Sequence, residues 1–170
     1  MRGKVDYKWI ALGLLWLAFF LQQGTRQIYG PSITSVATSF GVGAAGLGAV
    51  MTVFSIVYGV FVPFSGIAAD VFRRKRIVCF GVAVFSLGTF LCGLSGGVVS
   101  FTLCYGLLNG FGQTFYYPAA TSLVYQLHEK SRATAISILQ LALYIGIVGC
   151  GSAAGMIADF GEGLWRYSFF

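Results

Sequence analysis

Five long apolar runs, separated by short segments that hold almost all of the charge, constrain this chain more than any other feature. They extend over residues 9–29, 47–69, 77–94, 100–127 and 133–158. About 20 apolar residues carry a helix across the hydrocarbon core of a bilayer, so each run is long enough to span. Only 9% of residues are charged, against roughly 25% in a soluble domain, which excludes a water-soluble globule. Twelve spans would need about 240 residues, more than the 170 present. The expected fold is an all-α membrane protein with five complete transmembrane helices and the start of a sixth at Trp165. The basic start before the first run has the look of a secretion signal, but Gln22 to Arg26 offers no small-residue cleavage site.

Charge placement sets an orientation. Lysine and arginine in short loops stay on the cytoplasmic side of a membrane. Nine of the eleven basic residues precede the first run, separate the second from the third (Arg73 to Arg76) or separate the fourth from the fifth (Lys130, Arg132). All nine fall on one side of a five-span layout, so the amino-terminus is expected to be cytoplasmic, in the plasma membrane. The same layout accounts for most of the net charge of +6 without a nucleic-acid partner. Cys79, Cys92, Cys104 and Cys150 lie singly within apolar runs and read as small hydrophobes.

Gly66-Ile67-Ala68-Ala69-Asp70 followed by Arg73-Arg74-Lys75-Arg76 closes the second run. A plain topogenic loop explains the arginines but not the aspartate. The stretch resembles the signature loop of the major facilitator superfamily, Gly-x-x-x-Asp-Arg-x-Gly-Arg-Arg/Lys. Gly66, Asp70, Arg74 and Lys75 match, whereas Val71 and Arg73 depart. Asn109-Gly110-Phe111-Gly112-Gln113 with Pro118 is similar to the Gly-x-Gly then proline pattern of that superfamily's fourth span, and Trp165-Arg166-Tyr167 to the start of its sixth. The resemblance covers essentially the whole chain. It implies the amino-terminal six-helix half of a transporter, cut off in helix six, with the carboxy-terminal half as a missing partner. Gly66, Asp70, Arg74 and Lys75 would then form a conformational latch at the cytoplasmic face. Gly106, where drug/proton antiporters often carry arginine, and a fifth span without proline make that subclass disfavoured.

Arg26 is the one charge inside a run. Such a residue faces a bundle interior or wet cavity, or snorkels to the headgroups. From Trp9 it lies roughly 25 Å along a helix, toward the outer face, which keeps snorkelling open. Gln22, Arg26 and Tyr29 share a face by spacing, opposite a lipid side that includes Phe19, Phe20 and Leu21. No carboxylate lies within the spans to pair with Arg26, so an anionic ligand is the natural partner. Its placement also resembles the first-span arginine of organic-anion transporters in the superfamily. Asn109, Gln113 and Tyr117 stack at intervals of four and either line a cavity or bond to neighbouring helices; Gln140 and Tyr144 repeat that spacing and ambiguity. Gly106 and Gly110 form a flat stripe for close approach of another helix, and Gly151 and Gly155 are expected to serve packing. His128, among loop charges, is expected to be solvated. No nucleophile-base arrangement, phosphate loop, metal-ligand spacing or cofactor signature stands out, so an enzyme is not expected.

The sequence thus points to a secondary transporter of a small-molecule substrate, an organic anion by the Arg26 argument. Symport with a co-transported ion, in contact with membrane lipid, is the expected mode. The alternatives are a non-transporting membrane subunit or sensor built on the half-fold, or the remnant of a truncated gene.

Overall fold

The computed structural model describes residues 2–159. The expected sixth span and its Trp165-Arg166-Tyr167 start lie outside them. Among the described residues the chain forms five helical rods and no strand: α1 (Arg2–Phe40), α2 (Ala44–Val71), α3 (Arg74–Gly93), α4 (residues 98–127) and α5 (Arg132–Asp159). Gly48–Val71, Arg74–Gly93 and Arg132–Met156 are long and apolar enough to cross a membrane by length and composition. The other two rods, α1 and α4, carry Gln22, Gln23, Thr25 and Arg26, and Asn109, Gln113 and Thr114.

The first rod departs most from its expected bounds. The expected first span ends at Tyr29, yet α1 continues to Phe40 and ends where Gly41 takes a φ of 63°. The Gly41 N–H donates to Thr38 O and the Val42 N–H to Ala37 O, the paired bonds of a glycine-ended helix. Ala37 and Val42 join the same apolar cluster, which fastens the turn. The loop expected over 30–46 therefore shrinks to 41–43. It also follows that Arg26 is not near a helix end, since Phe40 lies roughly 21 Å further along.

α4 is a composite rod: one α turn (Val98–Phe101), a π-helical stretch (Thr102–Asn109) and an α segment (Gly110–Leu127). It packs against α2 and α3, while α1 lies along α5. Close approach at the α3/α4 contact depends on glycines. A Cβ on Gly88 would meet Asn109 N at 2.9 Å, one on Gly81 would meet Gly112 O at 3.0 Å, and one on Gly112 would run into the Phe85 backbone. Gly106 and Gly110 provide the flat stripe, pressed on Val53 and Phe54 of α2. Between α1 and α5, a Cβ on Gly24 would meet Cys150 Sγ at 2.6 Å and one on Gly146 would meet Phe20 O at 3.0 Å, whereas one on Gly151 would have only ordinary contact with Gln27.

Two apolar clusters fill the bundle. One gathers Leu12, Leu15, Phe19, Val78, Tyr116, Val124 and Leu139; the other Tyr29, Val36, Val50, Phe54, Cys92, Phe101 and Tyr105. Between them, at mid-height, lies a layer of buried Gln22, Thr25, Thr89, Asn109 and Gln113. Polar groups at that depth need partners from neighbouring helices.

Candidate functional site

Beside the polar layer opens a cleft of about 210 Å³, lined by Phe19, Gln22, Gln23, Arg26, Tyr58, Tyr117, Gln140 and Leu143. Four rods contribute. Phe19, expected on the lipid side, is instead 2% exposed and packs against Tyr116 and Tyr117. It stands three residues before Gln22, so helical spacing puts it on the Gln22 face. Arg26 is half-buried, and its guanidinium carbon lies 4.8 Å from the Tyr58 ring centre and 5.1 Å from that of Phe54. Among the described residues it makes no ion pair or hydrogen bond. Its N–H donors are uncommitted, in a wall that otherwise offers amides, aromatic faces and two tyrosines, Tyr58 and Tyr117, the latter's hydroxyl accepting from Gln140 Nε2 at 3.5 Å. Such a site can grip a carboxylate or similar anion through the guanidinium and stack a ring beside it.

The six residues singled out as substrate-binding divide by position. Gln22, Arg26 and Tyr117 border the cleft. Asn109 and Gln113 lie behind it, both 0% exposed, in a seam that ties α4 to its neighbours. Asn109 Nδ2 donates to Thr89 Oγ1 at 2.8 Å, and Gln113 Nε2 donates to Thr25 Oγ1 at 3.2 Å and to Asn109 Oδ1. Gln22 Nε2 donates to Gln113 O at 3.1 Å, and the Thr25 and Thr89 hydroxyls donate to Gln22 O and Phe85 O. Oε1 of Gln22 and of Gln113 stay buried without a donor among the described residues. Tyr29 turns to the other side, stacked on Tyr105 with ring centres 4.9 Å apart. Gln140 joins the cleft and its spacing partner Tyr144 does not, being 63% exposed. Tyr58 was not legible as a site residue, because it occupies an apolar run in which Ser55, one turn before it, bonds its own helix backbone at Met51 O.

At the end of the bundle formed by the α2/α3 turn, Asp70, Phe72, Arg73, Arg74 and Lys75 line a recess of about 360 Å³ with Leu123 and Gln126 of α4. Arg74 Nη1 donates to Ser122 O at 3.3 Å, which staples the turn to α4. Asp70 is exposed and makes no ion pair with Arg74. Nothing lies within 4 Å of a Cβ built on Gly66. Asp70 sits in the last turn of its helix and Arg74 to Arg76 in the first turn of theirs, the unfavourable ends of both helix dipoles. Helix stability does not explain these charges.

His128 is not solvated as expected. It is 4% exposed: Nε2 lies 3.3 Å from Lys8 O, Nδ1 3.3 Å from Ser131 Oγ, and the ring meets Trp9 edge-on at 5.3 Å. The α4/α5 turn folds back on the start of α1, whose carbonyl buries the imidazole, a contact 120 residues distant in sequence. Of the cysteines, Cys92 is buried, Cys104 and Cys150 are half-buried and Cys79 is exposed.

A bundle of apolar rods, three of them long and apolar enough to cross a membrane, has the make-up of an integral membrane protein. The chain belongs to the Major Facilitator Superfamily, whose family model it matches over residues 15–170. It is 29% identical over 163 residues to the multidrug resistance protein Stp of Mycobacterium tuberculosis, covering 95% of this chain and 29% of that protein. It is 32% identical over 116 residues to multidrug resistance protein 2 of Bacillus subtilis, covering 68% of this chain and 29% of the relative. The putative multidrug resistance protein MdtD of Salmonella heidelberg is 24% identical over 157 residues, with 33% of its length covered. The chain thus spans about a third or less of these relatives. Membership points to a transporter rather than an enzyme. The expectation that Gly106 and the missing fifth-span proline separate the chain from members concerned with drugs finds no support in these relatives.

Proposed function

We propose that this chain is the amino-terminal half of a secondary transporter that moves small aromatic organic anions by alternating access of two helical halves. In this reading α1 to α5 are five full spans and the amino-terminus is cytoplasmic in the plasma membrane. The names of the relatives add a role in drug resistance to this reading and lend no support to the symport expected from sequence. One observation carries the choice of anion: Arg26 faces a cleft with uncommitted donors and no carboxylate among its lining residues. A cationic drug would meet an unscreened like charge there. Gln22 and Tyr117 supply polar contacts, and Phe19 a ring face. Asn109 and Gln113 hold the helices that shape the cleft. Asp70, Arg74 and Lys75, next to Gly66, act at the cytoplasmic recess as a latch whose closed partner is the other half.

The test is calorimetric titration of the chain in lipid nanodiscs with 2-naphthoate and with a naphthyl trimethylammonium ion. Naphthoate should bind and the cation should not. Arg26→Gln removes charge-assisted bonds of about 1.5–3 kcal/mol, a loss of roughly 10- to 150-fold in affinity. Equal binding of naphthoate by Arg26→Gln, or tighter binding of the cation, overturns the anion reading. The second outcome would favour a broad drug site, to which the aromatic lining and the relatives' names also point.

A further inference from the structure

Arg26 has a resting place that involves no counter-ion. Phe54 and Tyr58 stand one turn apart on α2, their rings 6.1 Å apart and within 11° of parallel, and together they make a shelf beneath the guanidinium. Phe54 is 5% exposed and is backed by Tyr105, whose hydroxyl donates to Thr25 O, so the inner half of the shelf is locked to α4 and α1. Tyr58 is half-buried and forms the rim of the cleft.

A guanidinium over an aromatic face is attracted by the ring quadrupole, and more strongly where water is excluded. The attraction uses no carbonyl or carboxylate acceptor, so it holds the charge in place while leaving its N–H donors for a ligand. An arginine on a long flexible stem would otherwise lose conformational freedom each time it met a substrate, or would extend toward the headgroups.

We infer that Tyr58, supported by Phe54, is a positioning residue that presents the Arg26 guanidinium to anionic substrates. The inference rests on the anion reading of the same cleft. It makes recognition by α1 dependent on α2, so separation of the two helices at this level would release the arginine and weaken the site.

The experiment compares Tyr58→Phe, Tyr58→Leu, Arg26→Gln and the double variant Tyr58→Leu/Arg26→Gln, each in nanodiscs with 2-naphthoate as the probe. Tyr58→Phe keeps the ring and should bind within about twofold of the parent, whereas Tyr58→Leu should bind about tenfold more weakly. In the Arg26→Gln background, Tyr58→Leu should have no further effect, because the ring acts through the arginine. Helicity and monodispersity check folding, and Tyr58→Met is the second variant if the leucine form does not fold. Full affinity in Tyr58→Leu, with Arg26→Gln impaired, overturns the positioning role and leaves the anion reading intact. Additive losses in the double variant also overturn it, since Tyr58 would then touch the ligand independently. Unimpaired Arg26→Gln removes the anion reading itself, and with it this inference.

Discussion

Asn109→Leu separates the two roles that spacing alone allows for the polar stripe of α4. The substitution keeps the approximate volume and deletes two side-chain hydrogen bonds, the one to Thr89 Oγ1 at 2.8 Å and the one accepted from Gln113 Nε2. Thr89 retains its bond to Phe85 O and Gln113 its bond to Thr25 Oγ1, so neither partner is stranded. Only the bond to Thr89 crosses helices; such bonds inside membranes average about 0.6 kcal/mol with a ceiling near 1.7, and the i, i+4 bond within α4 adds about 0.2–0.5, so the loss should be about 1–2 kcal/mol. Reversible unfolding in mixed micelles, followed by far-ultraviolet circular dichroism over a dodecyl sulfate titration, would show it as a lower midpoint. Naphthoate affinity should stay within about twofold, because Asn109 is 0% exposed and does not border the cleft. An Asn109→Leu protein as stable as the parent but with about tenfold weaker binding would refute the assignment of this residue to helix packing.

Further perturbations probe other contacts. Gly112→Ala pushes a methyl into the Phe85 backbone and should cost about 1–3 kcal/mol, whereas Gly13→Ala meets nothing within 4 Å and should be neutral or gain up to about 1 kcal/mol in helix propensity; equal unfolding midpoints would contradict the close approach of α3 and α4. His128→Ala loses the edge contact with Trp9 and the bond to Lys8 O, together about 1–2 kcal/mol, and should speed proteolysis at residues 127–132. An unchanged cleavage rate would argue against the docked turn. Asp70→Asn should leave membrane insertion unchanged, as Asp70 has no ion pair among the described residues to lose, and should slow transport when the chain is joined to a carboxy-terminal half; full rates in vesicles would remove the latch.

The five rods were legible because apolar length and basic punctuation are local properties, and α2 to α5 begin and end within a few residues of the expected spans. What escaped depends on distant partners. The burial of His128 is decided by the Lys8 carbonyl, and the end of α1 by Gly41 rather than by Gly30. Tyr58 is unremarkable in sequence and gains a role only from Arg26 on another helix.

The α4 stripe shows how a correct periodicity can still mislead. Residues four apart lie about 40° out of line on a helix of 3.6 residues per turn, so two such steps turn a side chain by about 80°. Asn109 accordingly meets Thr89 of α3, Gln113 meets Thr25 of α1, and Tyr117 reaches Gln140 of α5 across the cleft. One sequence pattern is thereby divided among three neighbours, two of them structural contacts and one the rim of the candidate site. The π-helical stretch ending at Asn109 sets the rotation from which this winding starts, and no residue type in 102–109 announces it. Assigning cavity and packing roles along such a stripe therefore requires the angular position of each residue, which the i, i+4 rule approximates for one step and loses over two.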